Sequence, residues 1–233
     1  MPTAVITGAS RGLGREIALA LAARHWSLVI DARTESTLRT TARELRAAGA
    51  ESLDAVPGSV ADPDHRAALA DAVDRQGECR LLVNNASLLG PSPLPTLAEL
   101  PVDALEQVYA VNVVAPIALT QTLLPTLTRS HGRILNISSD AAVEPYDHWG
   151  GYGSSKAALD QATAILAAER PDVRVYALDP GDMRTQMHQD AFPGEDISDR
   201  PEPESVVPAL RRLLAEGAPS GRYQATALLE GQR

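Results

Sequence analysis

The sequence predicts an α/β fold in which a doubly wound parallel sheet of about seven strands carries helices on both faces. Short apolar, β-branched runs alternate along the chain with longer segments of helical period. This alternation is typical of βαβ units, whose strands lie parallel in one sheet. A glycine-rich turn directly after the first apolar run is the second observation, because such a turn leads from a strand into a helix in this fold class.

The predicted elements follow one another in the order that a doubly wound sheet requires. The apolar runs predict strands at residues 4–7, 28–31, 53–56, 81–84, 133–137, 173–178 and 222–225. The segments of helical period predict helices at residues 13–24, 35–48, 63–75, 102–129, 152–169 and 204–214. Right-handed crossovers put these helices on both faces, so ligands are expected beyond the carboxyl ends of the strands.

The sequence predicts one domain over residues 1–233, because no repeat, linker or low-complexity segment divides it. The least regular stretches are residues 88–101, 140–151 and 181–204. Loops of that length in a compact domain are usually functional, and we expect residues 182–204 to form a lid over a substrate. This stretch is called the lid segment below.

Composition excludes several classes of partner. The chain has 233 residues, 44% of them hydrophobic, and a formal charge of −9. The negative charge repels phosphate backbones and anionic lipid surfaces, so we expect neither nucleic acid nor a membrane as partner. Asn112 and Pro116 interrupt the most apolar stretch, and no secretory signal precedes the first strand, which predicts a cytoplasmic protein. Cys79 is the only cysteine, and no metal-binding spacing occurs, so no metal is expected.

The turn at residues 7–14 reads Thr-Gly-Ala-Ser-Arg-Gly-Leu-Gly. Glycines there allow a tight turn and let the backbone approach a pyrophosphate, whose charge the amides and dipole of the helix N-terminus stabilise. The spacing Gly-x-x-x-Gly-x-Gly differs from the Gly-x-Gly-x-x-Gly of other dinucleotide-binding proteins. An ordinary glycine-rich connection is the alternative interpretation of this segment alone.

The end of the second strand, Asp31-Ala32-Arg33, bears on the choice of nicotinamide cofactor. An acidic side chain there accepts from a ribose 2′-hydroxyl, whereas a basic one binds a 2′-phosphate. Because side chains alternate along a strand, only one of Asp31 and Ala32 faces the ribose. We align Ala32 with that position, so that Arg33 and Arg11 bind a 2′-phosphate, which favours NADP(H). If Asp31 faces the ribose instead, NAD(H) is the cofactor.

Tyr152 and Lys156 open a strongly helical segment with the spacing i, i+4, which brings two side chains together on one face of a helix. An ammonium beside a phenol favours the phenolate and makes the tyrosine a usable acid or base. The pattern alone is common. The evidence for a functional pair is stronger here because Lys156 is the only lysine among 21 basic residues. A compact ammonium has donors that a planar guanidinium does not reproduce.

The fifth strand ends in Ser138-Ser139, at the edge of the sheet where ligands bind in this architecture. A serine hydroxyl there can donate to a carbonyl oxygen whose negative charge grows during reduction. Only one of the two serines can point that way, and serines at a strand end are otherwise ordinary turn residues.

Taken in order, these motifs resemble the short-chain dehydrogenase/reductase family. The resemblance runs from residue 3 to about residue 185 and includes the glycine turn, Asn84-Asn85-Ala86, Asn112, Ser139, Tyr152, Lys156 and Pro180-Gly181. It implies a Rossmann-type fold and an oxidoreductase that interconverts a carbonyl and an alcohol by hydride transfer. It also implies a dimer or tetramer, paired through the helices at residues 102–129 and 152–169.

The resemblance implies a role for each site residue. Tyr152 would be the general acid or base, Lys156 would lower its pKa and bind the nicotinamide ribose, and Ser139 would polarise the carbonyl. Asn112 would hold a water that links Lys156 to solvent. The expected cofactor contacts are Gly8, Ser10, Arg11, Gly12, Leu13, Gly14, Ala32, Arg33, Ser59, Val60, Asn85, Ala86, Tyr152, Lys156, Pro180, Gly181, Met183 and Thr185.

Two departures from the family pattern concern the cofactor. Ser87 stands where relatives often have glycine, and we expect this change to be tolerated. Gly58-Ser59-Val60 stands where relatives often have an aspartate that contacts adenine, so Val60 is expected to make that contact instead.

Large side chains in the loops predict the kind of substrate. The lid segment contains Met183, Met187, His188 and Phe192. Opposite the lid, we expect Tyr146, His148 and Trp149 to line the mouth of the site. They suggest a medium-sized apolar or cyclic carbonyl compound. A catalytically silent, nucleotide-sensing regulator and a methyltransferase remain alternatives, since a fold does not fix an activity.

Overall fold

Seven parallel strands form one sheet in the computed structural model, which describes residues 1–215 and 217–231. The strands are β1 (Thr3–Ile6), β2 (Ser27–Ala32), β3 (Leu53–Pro57), β4 (Leu81–Asn84), β5 (Arg133–Ile137), β6 (Arg174–Asp179) and β7 (Gly221–Gln224). Their order is β3-β2-β1-β4-β5-β6-β7. The order reverses between β1 and β4, which opens a crevice at the carboxyl ends of these two strands.

Helices cover both faces of the sheet. They are α1 (Gly12–Ala22), α2 (Glu35–Ala47), α3 (Pro63–Gln76), α4 (Val102–Tyr109), α5 (Ala115–Arg129), α6 (Gly150–Glu169), α7 (Gln186–Ala191), α8 (Val207–Ala215) and α9 (Ala225–Glu230). One core packs α1, α2 and α8 against the sheet, and a second core packs α3 and α5 against the opposite face. The predicted doubly wound α/β fold with seven strands is therefore confirmed.

Local sequence determines the ends of α3, the helix that carries His65. The Asp62 side chain accepts from the backbone N–H of Asp64 at 2.9 Å, and Pro63 occupies the first turn. Both features favour helix initiation. Gly77 ends the helix with φ of +81°, a left-handed conformation that glycine adopts without a steric penalty.

The structure differs from the prediction in three segments. The predicted helix at residues 102–129 contains a π-helical turn at Ala110–Val114. The lid segment contains the short helix α7, because the Thr185 hydroxyl accepts from the His188 N–H at its start. Ala225 begins α9 instead of ending the last strand.

The continuous helical segment Val102–Arg129 is long and apolar enough to cross a membrane by length and composition, contrary to our expectation. In the structure, however, Leu119, Leu123 and Leu127 are buried in the core beneath the sheet. A core helix passes the same test of length and hydropathy, and this packing identifies the segment as one.

Candidate active site

The glycine turn lies between β1 and α1 with its backbone exposed to the crevice. Gly8 and Gly12 have φ of +67° and +55°, which side chains rarely tolerate. The N-cap residue of α1 is Arg11, whose side chain forms no capping hydrogen bond. A Cβ atom on Gly8 would lie 2.9 Å from the Cα of Ala86, so the turn and the end of β4 are in direct contact. The arrangement leaves backbone donors and the helix dipole available to an anionic group.

Gly14 and Asn85 support this turn from behind. The Asn85 amide donates to the carbonyls of Thr7 and Gly8 at 2.9 and 3.1 Å. A Cβ atom on Gly14 would lie 2.4 Å from Asn85 Nδ2 and 2.6 Å from the Gly8 oxygen. Gly14 is therefore needed for close helix–strand packing and does not line the cleft, unlike the other predicted residues of the turn.

One part of the cleft contains Ala32 at the end of β2 and two arginines, one directly after β2 and one in the glycine turn. Arg33 and Arg11 line it, and within residues 1–215 and 217–231 neither guanidinium forms a hydrogen bond or an ion pair. Asp31 also lines the cleft, but its carboxylate is bound within the protein: it accepts from the Gly8 N–H at 2.6 Å and lies 2.9 Å from His65 Nε2. His65 was not singled out from the sequence.

Ser139, Tyr152 and Lys156 come together at the other end of the cleft. A Cβ atom on Gly153 would lie 2.6 Å from the Ala141 oxygen, so α6 packs closely on the loop that follows β5. Lys156 Nζ donates to the Ile137 carbonyl at 2.7 Å and lies 5.4 Å from the centre of the Tyr152 ring. The predicted i, i+4 pair is thus held together in the helix.

Burial shifts both titratable groups of this pair toward their neutral forms. It raises the pKa of Tyr152 to about 12, although the Ser87 and Ser139 side chains have a smaller, opposite effect. It lowers the pKa of Lys156 to about 8, with Asp160 acting in the opposite direction. The sequence predicts that the lysine lowers the pKa of the phenol, but in the structure desolvation dominates, and the phenol is protonated at neutral pH.

Asp140 is a site residue that the sequence analysis missed. Its carboxylate accepts from the Ser139 hydroxyl at 3.0 Å, from the Ala141 N–H at 2.8 Å and from the Tyr146 hydroxyl at 3.0 Å. It also raises the pKa of Tyr152, though less than burial does. Its position directly after Ser139 was the only signal in the sequence.

The Asn112 side chain is buried in the π-helical turn and does not line the cleft. Its amide donates to the Leu88 carbonyl and the Ser155 hydroxyl, both at 2.9 Å. Its oxygen accepts from the Leu88 N–H at 2.7 Å and from the Ser87 hydroxyl at 3.2 Å. The protein uses all four of these hydrogen-bonding positions, so a water near Lys156 would have to bind another atom.

Aromatic side chains of the lid segment and of the loop before α6 form a cluster around Trp149. Trp149 contacts Tyr152, Phe192 and Tyr146, with ring centres 5.8, 6.0 and 6.5 Å apart. Met183, Met187 and His188 of the lid segment line the cleft together with Trp149. Tyr146, His148 and Phe192 do not line it; His148 instead lies with its Nδ1 3.1 Å from the Leu94 oxygen.

One cleft of about 640 Å³ joins the two ends. All the predicted site residues except Gly14 and Asn112 line it: Gly8, Ser10, Arg11, Gly12, Leu13, Ala32, Arg33, Ser59, Val60, Asn85, Ala86, Ser139, Tyr152, Lys156, Pro180, Gly181, Met183 and Thr185. Its volume is that of a small-molecule or cofactor site. The uncapped helix N-terminus and the two unpaired arginines fit a phosphorylated dinucleotide.

Comparison with known proteins decides the family. A model of the short chain dehydrogenase family matches residues 2–196. The chain belongs to this family. It is accordingly an NAD(P)-dependent oxidoreductase, and the resemblance drawn from the motifs is confirmed.

Similar proteins are named for different activities, including sepiapterin reductase and alcohol dehydrogenase. Mouse sepiapterin reductase (Mus musculus) is 36% identical, with 92% of this chain and 84% of the mouse protein covered. The structure of an alcohol dehydrogenase from the archaeon Thermococcus sibiricus, complexed with 5-hydroxy-NADP, is 28% identical with a TM-score of 0.86; 96% of this chain and 95% of that chain are covered. A similar structure from Escherichia coli CFT073 is complexed with NADPH and has 28% identity and a TM-score of 0.88; 96% of each chain is covered.

Proposed function

We propose that this short chain dehydrogenase uses NADP(H) to reduce a carbonyl compound to an alcohol, with Ser139, Tyr152, Lys156 and Asn112 forming its catalytic centre. The observation that carries the proposal is the single cleft that connects the phosphate-binding turn to Ser139, Tyr152 and Lys156. Residues 1–233 would act as one cytoplasmic catalytic domain, with the lid segment over the substrate.

The choice of NADP(H) is supported by two positive charges, one in the glycine turn and one directly after β2. The unpaired guanidinium groups of Arg11 and Arg33 suit a 2′-phosphate, which they can bind through paired N–H donors. Ala32 adds no negative charge beside them. The two similar structures that contain NADPH or 5-hydroxy-NADP support the same choice. When bound, NADP(H) supplies the hydride.

Tyr152 supplies the proton in this proposal. Because its phenol is protonated at neutral pH, it can donate to the carbonyl oxygen as negative charge develops there. Ser139 donates a second hydrogen bond to the same oxygen once its hydroxyl turns away from Asp140. The Lys156 ammonium stabilises the phenolate that remains after proton transfer.

Asn112 would hold the loop after β4 and the start of α6 in position around this centre. Its amide connects the loop after β4 to Ser155, which neighbours Lys156 in α6. A water relay from Lys156 would then have to use atoms other than those of the Asn112 side chain.

The substrate would be a medium-sized carbonyl compound with a flat apolar or cyclic part. Trp149, Met183 and Met187 provide the apolar surface that such a compound would contact. Sepiapterin belongs in the first panel of compounds because several relatives are named for its reduction.

The test is the oxidation of NADPH in the presence of a panel of ketones that includes sepiapterin. The wild-type protein is expected to turn over at least one compound, and Tyr152→Phe to lose at least 99% of that rate, because the phenylalanine has no proton to donate. The Tyr152→Phe variant should still bind NADPH in a fluorescence titration, which separates loss of chemistry from loss of folding.

Two other outcomes would select the alternatives. If NADH supports a tenfold higher kcat/KM than NADPH, the protein is an NAD(H)-dependent alcohol dehydrogenase, and the roles given to Arg11 and Arg33 are wrong. Binding of NADPH without turnover of any compound would favour a nucleotide-sensing regulator.

A further inference from the structure

Asp31 is an unusual residue to find at the end of β2 in a protein that binds a 2′-phosphate. A carboxylate at this strand end accepts from ribose hydroxyls and repels a phosphate. Asp31 stands next to Ala32, and both residues line the cofactor end of the cleft. The side chain of Asp31 nevertheless forms no ion pair with Arg11 or Arg33.

Both oxygens of Asp31 are bound within the protein. Oδ1 accepts from the Gly8 N–H at 2.6 Å, and Oδ2 lies 2.9 Å from Nε2 of His65, which is in α3. An ionised carboxylate only accepts hydrogen bonds, so Nε2 carries the proton in this pair. Asp31 and His65 are only 1% and 7% exposed, which shields their interaction from water.

Gly58 makes space for the imidazole. A Cβ atom at this position would lie 2.2 Å from His65 Nδ1 and 2.7 Å from its Cγ. Any other residue would therefore displace the ring from Asp31. Gly58, which replaces the aspartate that often contacts adenine in relatives, is therefore required sterically for the contact between Asp31 and His65.

We propose that His65 determines cofactor specificity by holding the Asp31 carboxylate away from the ribose. This inference rests on the proposed use of NADP(H). Bound to His65 and to the Gly8 N–H, Asp31 neither accepts from a ribose 2′-hydroxyl nor faces the 2′-phosphate. His65 is thus a positioning residue that acts through Asp31, and loss of its N–H frees a carboxylate that selects for NADH.

The experiment measures the dissociation constants of NADPH and NADH by fluorescence titration of the full chain. His65→Leu removes the donor while keeping an apolar side chain in the buried site, and it is expected to weaken NADPH binding at least tenfold and NADH binding less than threefold. His65→Gln keeps a terminal N–H and should restore the ratio to within threefold of wild type. His65→Asn is too short to reach Asp31 and should behave like His65→Leu, even if the leucine variant fails to fold.

A double variant isolates the charge of Asp31. Asp31→Asn combined with His65→Leu removes both the donor and the carboxylate, so NADPH affinity should return to within threefold of wild type. Val73→Ala is the matched control, because Val73 is also buried in α3 but packs in the core two helical turns away from His65. It should lower stability and leave the ratio of the two dissociation constants unchanged.

Equal weakening of NADPH and NADH in His65→Leu and His65→Asn would overturn the inference and leave His65 a structural residue. An unchanged ratio in both variants would overturn it as well. If the wild-type protein binds neither dinucleotide, the proposed function itself fails, which these titrations distinguish from a failure that concerns His65 alone.

Discussion

Lys156 shows how much the setting of one side chain alters its chemistry. The ammonium is buried, donates to the Ile137 carbonyl and lies beside the Tyr152 ring. Asp160 is the acidic group that raises its pKa, but burial has the larger, opposite effect. The residue is therefore close to losing its charge under mildly alkaline conditions.

This shift predicts the alkaline limit of activity. Because burial lowers the pKa of Lys156 from 10.5 to about 8, the ammonium is present below that pH and is lost as pH rises through it. Tyr152, with a pKa of about 12, stays protonated over the same range. We expect kcat/KM for NADPH, measured at saturating ketone, to be constant below about pH 7 and to fall up to tenfold per pH unit above about 8. A profile that stays constant to pH 10 would contradict this.

At the scale of elements, the unit β1–turn–α1 depends on the absence of side chains at its glycines. Gly8 contacts Ala86 of the segment after β4, and Gly14 packs against Asn85. Asn85 in turn binds the carbonyls of Thr7 and Gly8. The phosphate-binding turn is consequently shaped by two strands that are adjacent in the sheet but far apart in sequence.

Gly14→Ala tests this unit. The added methyl group would lie 2.4 Å from Asn85 Nδ2, so Asn85 and the turn must shift. We expect the free energy of unfolding to fall by about 1–3 kcal/mol in urea denaturation, the usual cost of overpacking, and NADPH affinity to fall at least tenfold. Gly77→Ala is the control, because its position at the end of α3 is strained but open and remote from the turn. Gly77→Ala should lower the free energy of unfolding and leave the affinity for NADPH unchanged. Wild-type affinity for NADPH in Gly14→Ala would contradict the role given to Gly14.

At the scale of the whole molecule, α5 and α6 leave apolar side chains in solvent. Ile117 of α5 is 38% exposed and Ile165 of α6 is 47% exposed, and Val114 lies one turn before Ile117. Both helices otherwise pack on the sheet. We propose that these exposed faces pair with those of a second copy, as the family resemblance implies.

Light scattering tests the assembly. The wild-type protein is expected to have two or four times the mass of the 24.7 kDa chain. Ile117→Glu combined with Ile165→Glu should shift it to the monomer mass, because charges in an apolar interface are costly to bury. Arg43→Gln, a polar change at an exposed position of α2 on the opposite face of the sheet, serves as the control and should leave the mass unchanged. A monomeric wild-type protein would disprove the pairing.

The sequence by itself determined the alternation of strands and helices, the phosphate-binding turn and the pairing of Tyr152 with Lys156. These features depend on short-range periodicity: a strand is an apolar run, a helix brings residues i and i+4 together, and glycine marks a turn. The direction of Asp31 and the filled hydrogen bonds of Asn112 were decided only by tertiary structure. His65 is 34 residues from Asp31 in sequence and meets it because α3 packs on β2. Such contacts, and the burial that shifts the pKa values, arise from packing between distant segments, for which local spacing carries no signal.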